Sequence, residues 1–226
     1  MKDTVGPVAE GTSMGGRWNV RLSAVAVMLA VLLAACGGPG AARVEETGSG
    51  SGASGGTRIE PPKALADFTL TSHTGATFGL RDLRGKPALL FFGYTNCPDI
   101  CPTTMLEWKK VKNALGADAS KVAFVFISVD GERDTPDVVK QFVQGYDSDF
   151  IGLTGDEATL RTIAKDFGVY FNHAHDKESN PKNLVDHGSY SFLLDHDARL
   201  NTVYRYGIPA ETISGDVQGL LRADVS

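Results

Sequence analysis

The chain has 226 residues, enough for one domain with extensions. Its hydrophobic share of 42% and charged share of 22% are those of a globular protein. The net charge of −5 speaks against a nucleic-acid surface, which needs a basic stripe. Three cysteines, Cys36, Cys97 and Cys101, are too few for a disulfide-stapled scaffold.

Arg17 and Arg21 precede an apolar run from Leu22 to Ala35. Its fourteen residues suit a secretory h-region and fall short of the roughly 20 that span a bilayer. The run ends Leu33-Ala34-Ala35-Cys36-Gly37, which resembles a bacterial lipoprotein signal. The resemblance implies cleavage before Cys36, diacylglycerol on its sulfur and acylation of the new amino terminus. Two or more chains on one residue anchor stably where one chain binds marginally. An uncleaved signal anchor is the alternative. Residues 1–35 thus read as a signal peptide, and Met14, three residues before Arg17, is a more usual start than Met1. No aspartate follows Cys36, so the inner and outer membranes are not sorted.

Residues 36–58 read as a lipidated tether rich in Gly, Ser and Ala, unable to bury a core. Its r.m.s. reach is roughly 25 Å. Residues 59–226 form the globular domain. Ala66 to Leu70 and Thr77 to Leu80 predict a hairpin. Ala88 to Phe92 is a continuous apolar strand, covered on both faces. Cys97 and Cys101 follow, and Pro102 is placed as the first residue of a helix. Met105, Leu106, Trp108, Val111, Ala114 and Leu115 give that helix an inward face, with Trp108 in the core. Val122 to Val129 is a second apolar strand. Asp134-Thr135-Pro136 opens a helix with a cap and a proline.

Phe150 to Leu153 predicts a short strand, Glu157 to Phe167 a helix, and Val169 to Phe171 a strand. Asn172 to Asp186 is polar and irregular, a docking loop or a passive insertion. Ser189 to Leu194 and Leu200 to Tyr206 are strands turning at Asp195-His196-Asp197, and Thr212 to Leu221 is a closing helix. The order predicts an α/β fold: a thioredoxin-like mixed sheet flanked by helices, with an N-terminal β-hairpin extension. Such sheets place ligands at the carboxyl ends of central strands, where the cysteines sit.

Two thiols four positions apart can close a disulfide or share a cation. Cys101, at the helix start, meets unpaired N–H groups and the positive dipole end, which favour its thiolate. Two thiolates suit Cu(I), whereas Cu(II) and Zn(II) prefer an added imidazole. Among five histidines His187 stands out, in Val185-Asp186-His187-Gly188-Ser189 just ahead of an expected strand. In a thioredoxin-like sheet the loop before that strand would abut the dithiol turn. His173 and His175 have a short metal-like spacing but read as solvated loop residues, with a second metal site as the alternative. His73 and His196 lie in turns. Asp130 and Asp134 form either a carboxylate pair or a strand end and a helix cap, the structural roles being preferred.

Phe92 to Pro102, Ser128-Val129-Asp130, Arg133 to Pro136 and Asp186-His187 resemble the landmarks of the Sco/SenC family over about Pro61 to Leu221. The resemblance implies a thioredoxin fold binding one copper through Cys97, Cys101 and His187. It implies assembly of the binuclear copper centre of cytochrome c oxidase, by delivering copper or by reducing that centre's cysteines. The implied partners are the copper-bearing oxidase subunit, the membrane and another periplasmic copper chaperone. Gly131 stands where the family often has proline, away from the site. The competing function is a thiol-disulfide oxidoreductase using Cys97 and Cys101 alone. A thiol peroxidase shares the fold class but lacks a marked peroxidatic cysteine.

Overall fold

The computed structural model describes residues 55–173 and 185–223. The expected signal peptide, Cys36, most of the tether and His175 lie outside them. The described strands are β1 (Thr57–Lys63), β2 (Thr69–Ser72), β3 (Thr77–Gly79), β4 (Ala88–Gly93), β5 (Ala123–Ser128), β6 (Ile151–Thr154), β7 (Phe171–His173), β8 (Val185–His187), β9 (Tyr190–Leu194) and β10 (Leu200–Arg205). The helices are α1 (Ile100–Leu115), α2 (Pro136–Gln144), α3 (Glu157–Asp166) and α4 (Ala210–Ala223). Eight strands form one mixed sheet in the order β1-β10-β9-β4-β5-β6-β2-β3, while β7 and β8 pair separately.

β4 lies at the centre because it is apolar throughout. It runs parallel to β5, with Phe91 opposite Phe126, and antiparallel to β9, with Phe91 opposite Ser191. Phe91 and Phe126 share one face. Trp108 of α1 meets the Phe91 ring edge-on at 6.3 Å, and Phe142 of α2 meets Phe126 at 5.0 Å. Phe92 points the other way, to Phe167 at the end of α3, 5.1 Å between centroids. This two-sided cover explains why Leu89, Leu90, Phe91 and Phe92 are all buried. Each contributes about 1.5–3 kcal/mol relative to exposure.

Several sequence expectations are corrected. Thr57 and Arg58, read as tether, begin β1, which pairs antiparallel with β10. Its two prolines and charges disguised it, but an edge strand tolerates proline because one row of N–H groups has no ladder partner. α1 starts at Ile100, so Pro102 is its third residue. Leu106 and Ala114 face solvent, and the buried side of α1 is Cys101, Thr104, Met105, Trp108, Val111 and Leu115. The strand expected at Val169 begins at Phe171. The ends of the segment read as irregular are ordered: Phe171, Asn172 and His173 pair with His187, Asp186 and Val185. Asp134 does not cap α2, whose N-cap is Thr135, with Oγ1 accepting from the Val138 N–H.

Candidate metal centre

The dithiol turn is built where β4 hands over to α1. The last ladder contact, Val129 N–H to the Gly93 carbonyl at 2.8 Å, carries the chain past the end of β5. Tyr94 is buried, and its carbonyl accepts from the Cys97 N–H at 3.3 Å, closing a turn. Asp99 is the N-cap of α1 but makes no side-chain cap bond; its carbonyl accepts from Thr103 Oγ1 at 2.8 Å. Cys101 is thus the second helical residue.

Cys101 is fully buried and Cys97 half-buried, and both are thiols in the structure. Their side chains are hydrogen-bonded to each other. That contact and burial push the Cys101 thiol well above its ordinary range, against the opposing backbone N–H of Tyr94. The expectation that the helix start favours the Cys101 thiolate is therefore overturned. The dipole acts on a sulfur that has lost its water, and desolvation with a neighbouring thiol outweighs it. A thiophilic cation would reverse the balance by replacing the proton.

Gly93 makes room for that sulfur. A Cβ there would lie 2.8 Å from Cys101 Sγ, 2.7 Å from Phe91 and 2.9 Å from Phe126. No periodicity marks this glycine, because the need arises only once α1 folds back over β4.

Asp134 is the second feature that residue types did not reveal. Its buried carboxylate accepts from the Thr95 N–H at 2.8 Å, Thr95 Oγ1 at 2.6 Å and Ser128 Oγ at 2.6 Å. Asp130 is also buried, but its charge meets Arg133. The two aspartates therefore serve different partners, which supports the structural alternative over a carboxylate pair. Burial and the nearby Cys101 push the Tyr146 phenol above its ordinary range.

His187 closes β8, with its backbone opposite Phe171. Ser191, four residues on, pairs with Phe91 near the end of β4. The chain at His187 therefore enters the sheet at the same end as the dithiol turn. Arg161 of α3 holds this ladder: Nη1 donates to the Phe171 carbonyl at 2.9 Å, and the guanidinium lies 4.6 Å above the Phe171 ring. The His187 and His173 side chains are outside the description. Among the described residues no three Cys, His, Asp or Glu side chains cluster as a metal site. His73 is structural, its Nδ1 accepting from the Gly152 N–H at 3.0 Å.

Comparison with known proteins gives the lineage. The family model described as SCO1/SenC matches residues 56–222. The chain belongs to the SCO1/SenC family. The SenC protein of Rhodobacter capsulatus is 38% identical over 128 residues, covering 57% of either chain. The structure of Bradyrhizobium japonicum ScoI with copper bound is 36% identical, with a TM-score of 0.63 over 69% of this chain and 98% of that one. BsSco, described as having a disulfide switch and as a member of the Sco family of cytochrome c oxidase assembly proteins, is 26% identical. Its TM-score is 0.58 over 73% of this chain and 96% of that one. The thioredoxin-like mixed sheet is thus the family's fold.

Proposed function

We propose that this protein is a membrane-tethered copper metallochaperone for the binuclear copper centre of cytochrome c oxidase. Copper is its cargo, held by the Cys97 and Cys101 sulfurs and the His187 imidazole. The observation that carries the reading is the hydrogen-bonded pair of thiols at the mouth of β4, in a chain whose relative is solved with copper bound. The register of β9 on β4, which brings the backbone at His187 to that end of the sheet, supports the third ligand. Two thiolates and one imidazole suit both Cu(I) and Cu(II). The Leu33-Ala34-Ala35-Cys36 ending supports export and a lipid anchor at Cys36, with the domain on the extracytoplasmic side. Partner recognition by the copper-bearing oxidase subunit, or loading from another copper chaperone, follows from the family's role.

The same thiol contact favours a second reading, a thiol-disulfide oxidoreductase. Cys97, the more exposed sulfur, attacks a partner disulfide and releases one partner thiol. Cys101 then attacks the mixed disulfide, releasing the second partner thiol and leaving a Cys97–Cys101 disulfide. The partner gains two electrons and two protons, and the dithiol loses them. A copper titration of the parent, His187→Ala and Cys97→Ala, followed by absorption, separates the readings. One Cu(II) per parent chain, lost or greatly weakened in both variants, is the expected result. Parental Cu(II) binding by His187→Ala would remove the histidine from the site. A parent that binds no copper but reduces a partner disulfide would establish the oxidoreductase.

A further inference from the structure

The buried Asp134 carboxylate does more than a surface anion needs to. It is 1% exposed, and its three side-chain-directed bonds all come from neutral donors. Two come from Thr95, two residues ahead of Cys97, and the third from Ser128 at the end of β5. Ser128 Oγ in turn accepts from the Asp130 N–H at 3.0 Å, and the Asp134 N–H donates to the Asp130 carbonyl at 2.8 Å. The carboxylate therefore clamps the dithiol turn to the neighbouring strand. It grips both the main chain and the side chain of Thr95, so that residue cannot slide or rotate. The other end of the turn is fixed by different means: Cys101 belongs to α1, and its sulfur is pressed against Gly93.

We propose that Asp134 is the positioning residue of the site, holding Thr95 so that Cys97 stays at a ligand-sharing distance from Cys101 and does not collapse into a disulfide. This rests on the copper reading of the dithiol. Asp134 acts by holding Thr95, and its charge also bears on Cys101. A buried carboxylate suits the task because charged acceptors make the shorter, stronger hydrogen bonds, and burial shields them from water. A family of loop positions, each adequate for a disulfide, is thereby narrowed to one.

The test uses the full chain and the variants Asp134→Asn, Thr95→Val, Thr95→Ser and the double Asp134→Asn/Thr95→Val. Cu(I) affinity is read by competition with bicinchoninate, Cu(II)–thiolate bands by absorption, and the dithiol–disulfide equilibrium in glutathione buffers. Asp134→Asn should weaken Cu(I) at least tenfold, shift the Cu(II)–thiolate bands and favour the disulfide. Thr95→Val, which keeps the N–H bond, should fall between it and the parent. Thr95→Ser should restore parental values, and the double variant should be no worse than Asp134→Asn. A folded Asp134→Asn with a lowered unfolding temperature but parental affinity, bands and dithiol equilibrium would reduce Asp134 to a fold-stabilising residue and overturn the proposal. Should Asp134→Asn not fold, Thr95→Val decides by the same readouts. A parent that takes up no copper refutes the copper reading, while the dithiol equilibrium still reports whether Asp134 sets the turn.

Discussion

The sulfur of Cys101 packs against Gly93 so closely that a single added methyl would sit 2.8 Å from it. Gly93→Ala therefore forces the sulfur, Phe91 or Phe126 to move. Overpacking of this kind costs about 1–3 kcal/mol. Because Cys101 is half of the dithiol, the displacement also weakens copper binding, by at least tenfold. Urea unfolding and a Cu(I) competition titration measure the two effects. Parental values in both would show that the turn has slack.

The two thiols differ in access. Cys97 is half-buried, whereas Cys101 is enclosed and its thiol is pushed up by Cys97 and by burial. Iodoacetamide at neutral pH should alkylate Cys97 and spare Cys101 until the protein unfolds, because thiolate and access together set the rate. Mass spectrometry of the peptide bearing both residues distinguishes one adduct from two. Equal labelling in the native protein would contradict the buried placement of Cys101.

Acid should loosen the packing of α3 and α1. Burial pushes the Asp166 carboxyl up, but the Lys63 ammonium at 2.9 Å and the Ala66 N–H at 2.7 Å outweigh it and hold it below 3.8. At Asp147 burial is likewise outweighed by the Lys112 ammonium and the Asp149 N–H. Both groups titrate lower in the folded chain than in the unfolded one. Their contribution is complete above the unfolded value and is lost as pH falls through the folded value. The urea midpoint should hold from pH 7 to pH 5 and fall below about pH 4, and Asp166→Asn should flatten part of that fall. The partly exposed Lys63–Asp166 pair is worth roughly 0.5–1 kcal/mol. An unchanged pH profile in Asp166→Asn would remove it from the acid transition.

Gly131 is pressed against the chain beyond β6. A Cβ at this position would lie 1.9 Å from the Gly155 carbonyl oxygen, a backbone atom that cannot rotate away. Gly131→Ala must therefore separate the loop after β5 from the loop after β6. It should destabilise the fold by about 1–3 kcal/mol. Cu(I) affinity should change less than threefold, since Gly131 itself meets Gly155 and, in α3, Leu160, while the hold on the dithiol turn belongs to Asp134 in the same loop. A large loss of affinity with little loss of stability would place Gly131 in the site after all.

The local elements were legible because their signals are local. An apolar run reads as a buried strand, and a three-to-four spacing reads as a helix; two cysteines beyond a strand need no long-range knowledge to be noticed. β4, β5, α3 and the position of the dithiol came from such patterns. β1 did not, since an edge strand carrying prolines has no distinctive alternation, and only pairing with β10 identifies it. The exposure of Leu106 likewise depends on how α1 is rotated against the sheet, which a broad apolar face leaves open.

The amino-acid sequence by itself determined the thioredoxin-like fold, the placement of Cys97 and Cys101 at its ligand end, and the candidate ligand His187. Tertiary structure decided what surrounds those sulfurs. The Asp134–Thr95 contact spans 39 positions and exists only because β4 and β5 are neighbours. The choice of Thr95 and Ser128 for Asp134, and of Arg133 for Asp130, turns two similar carboxylates into a clamp and an ion pair. The neighbouring Cys97 thiol and burial likewise reverse the acidity expected of Cys101 at a helix start. Residue type and spacing name the groups that can react, but partner choice and desolvation depend on which surfaces meet, and folding alone brings those together.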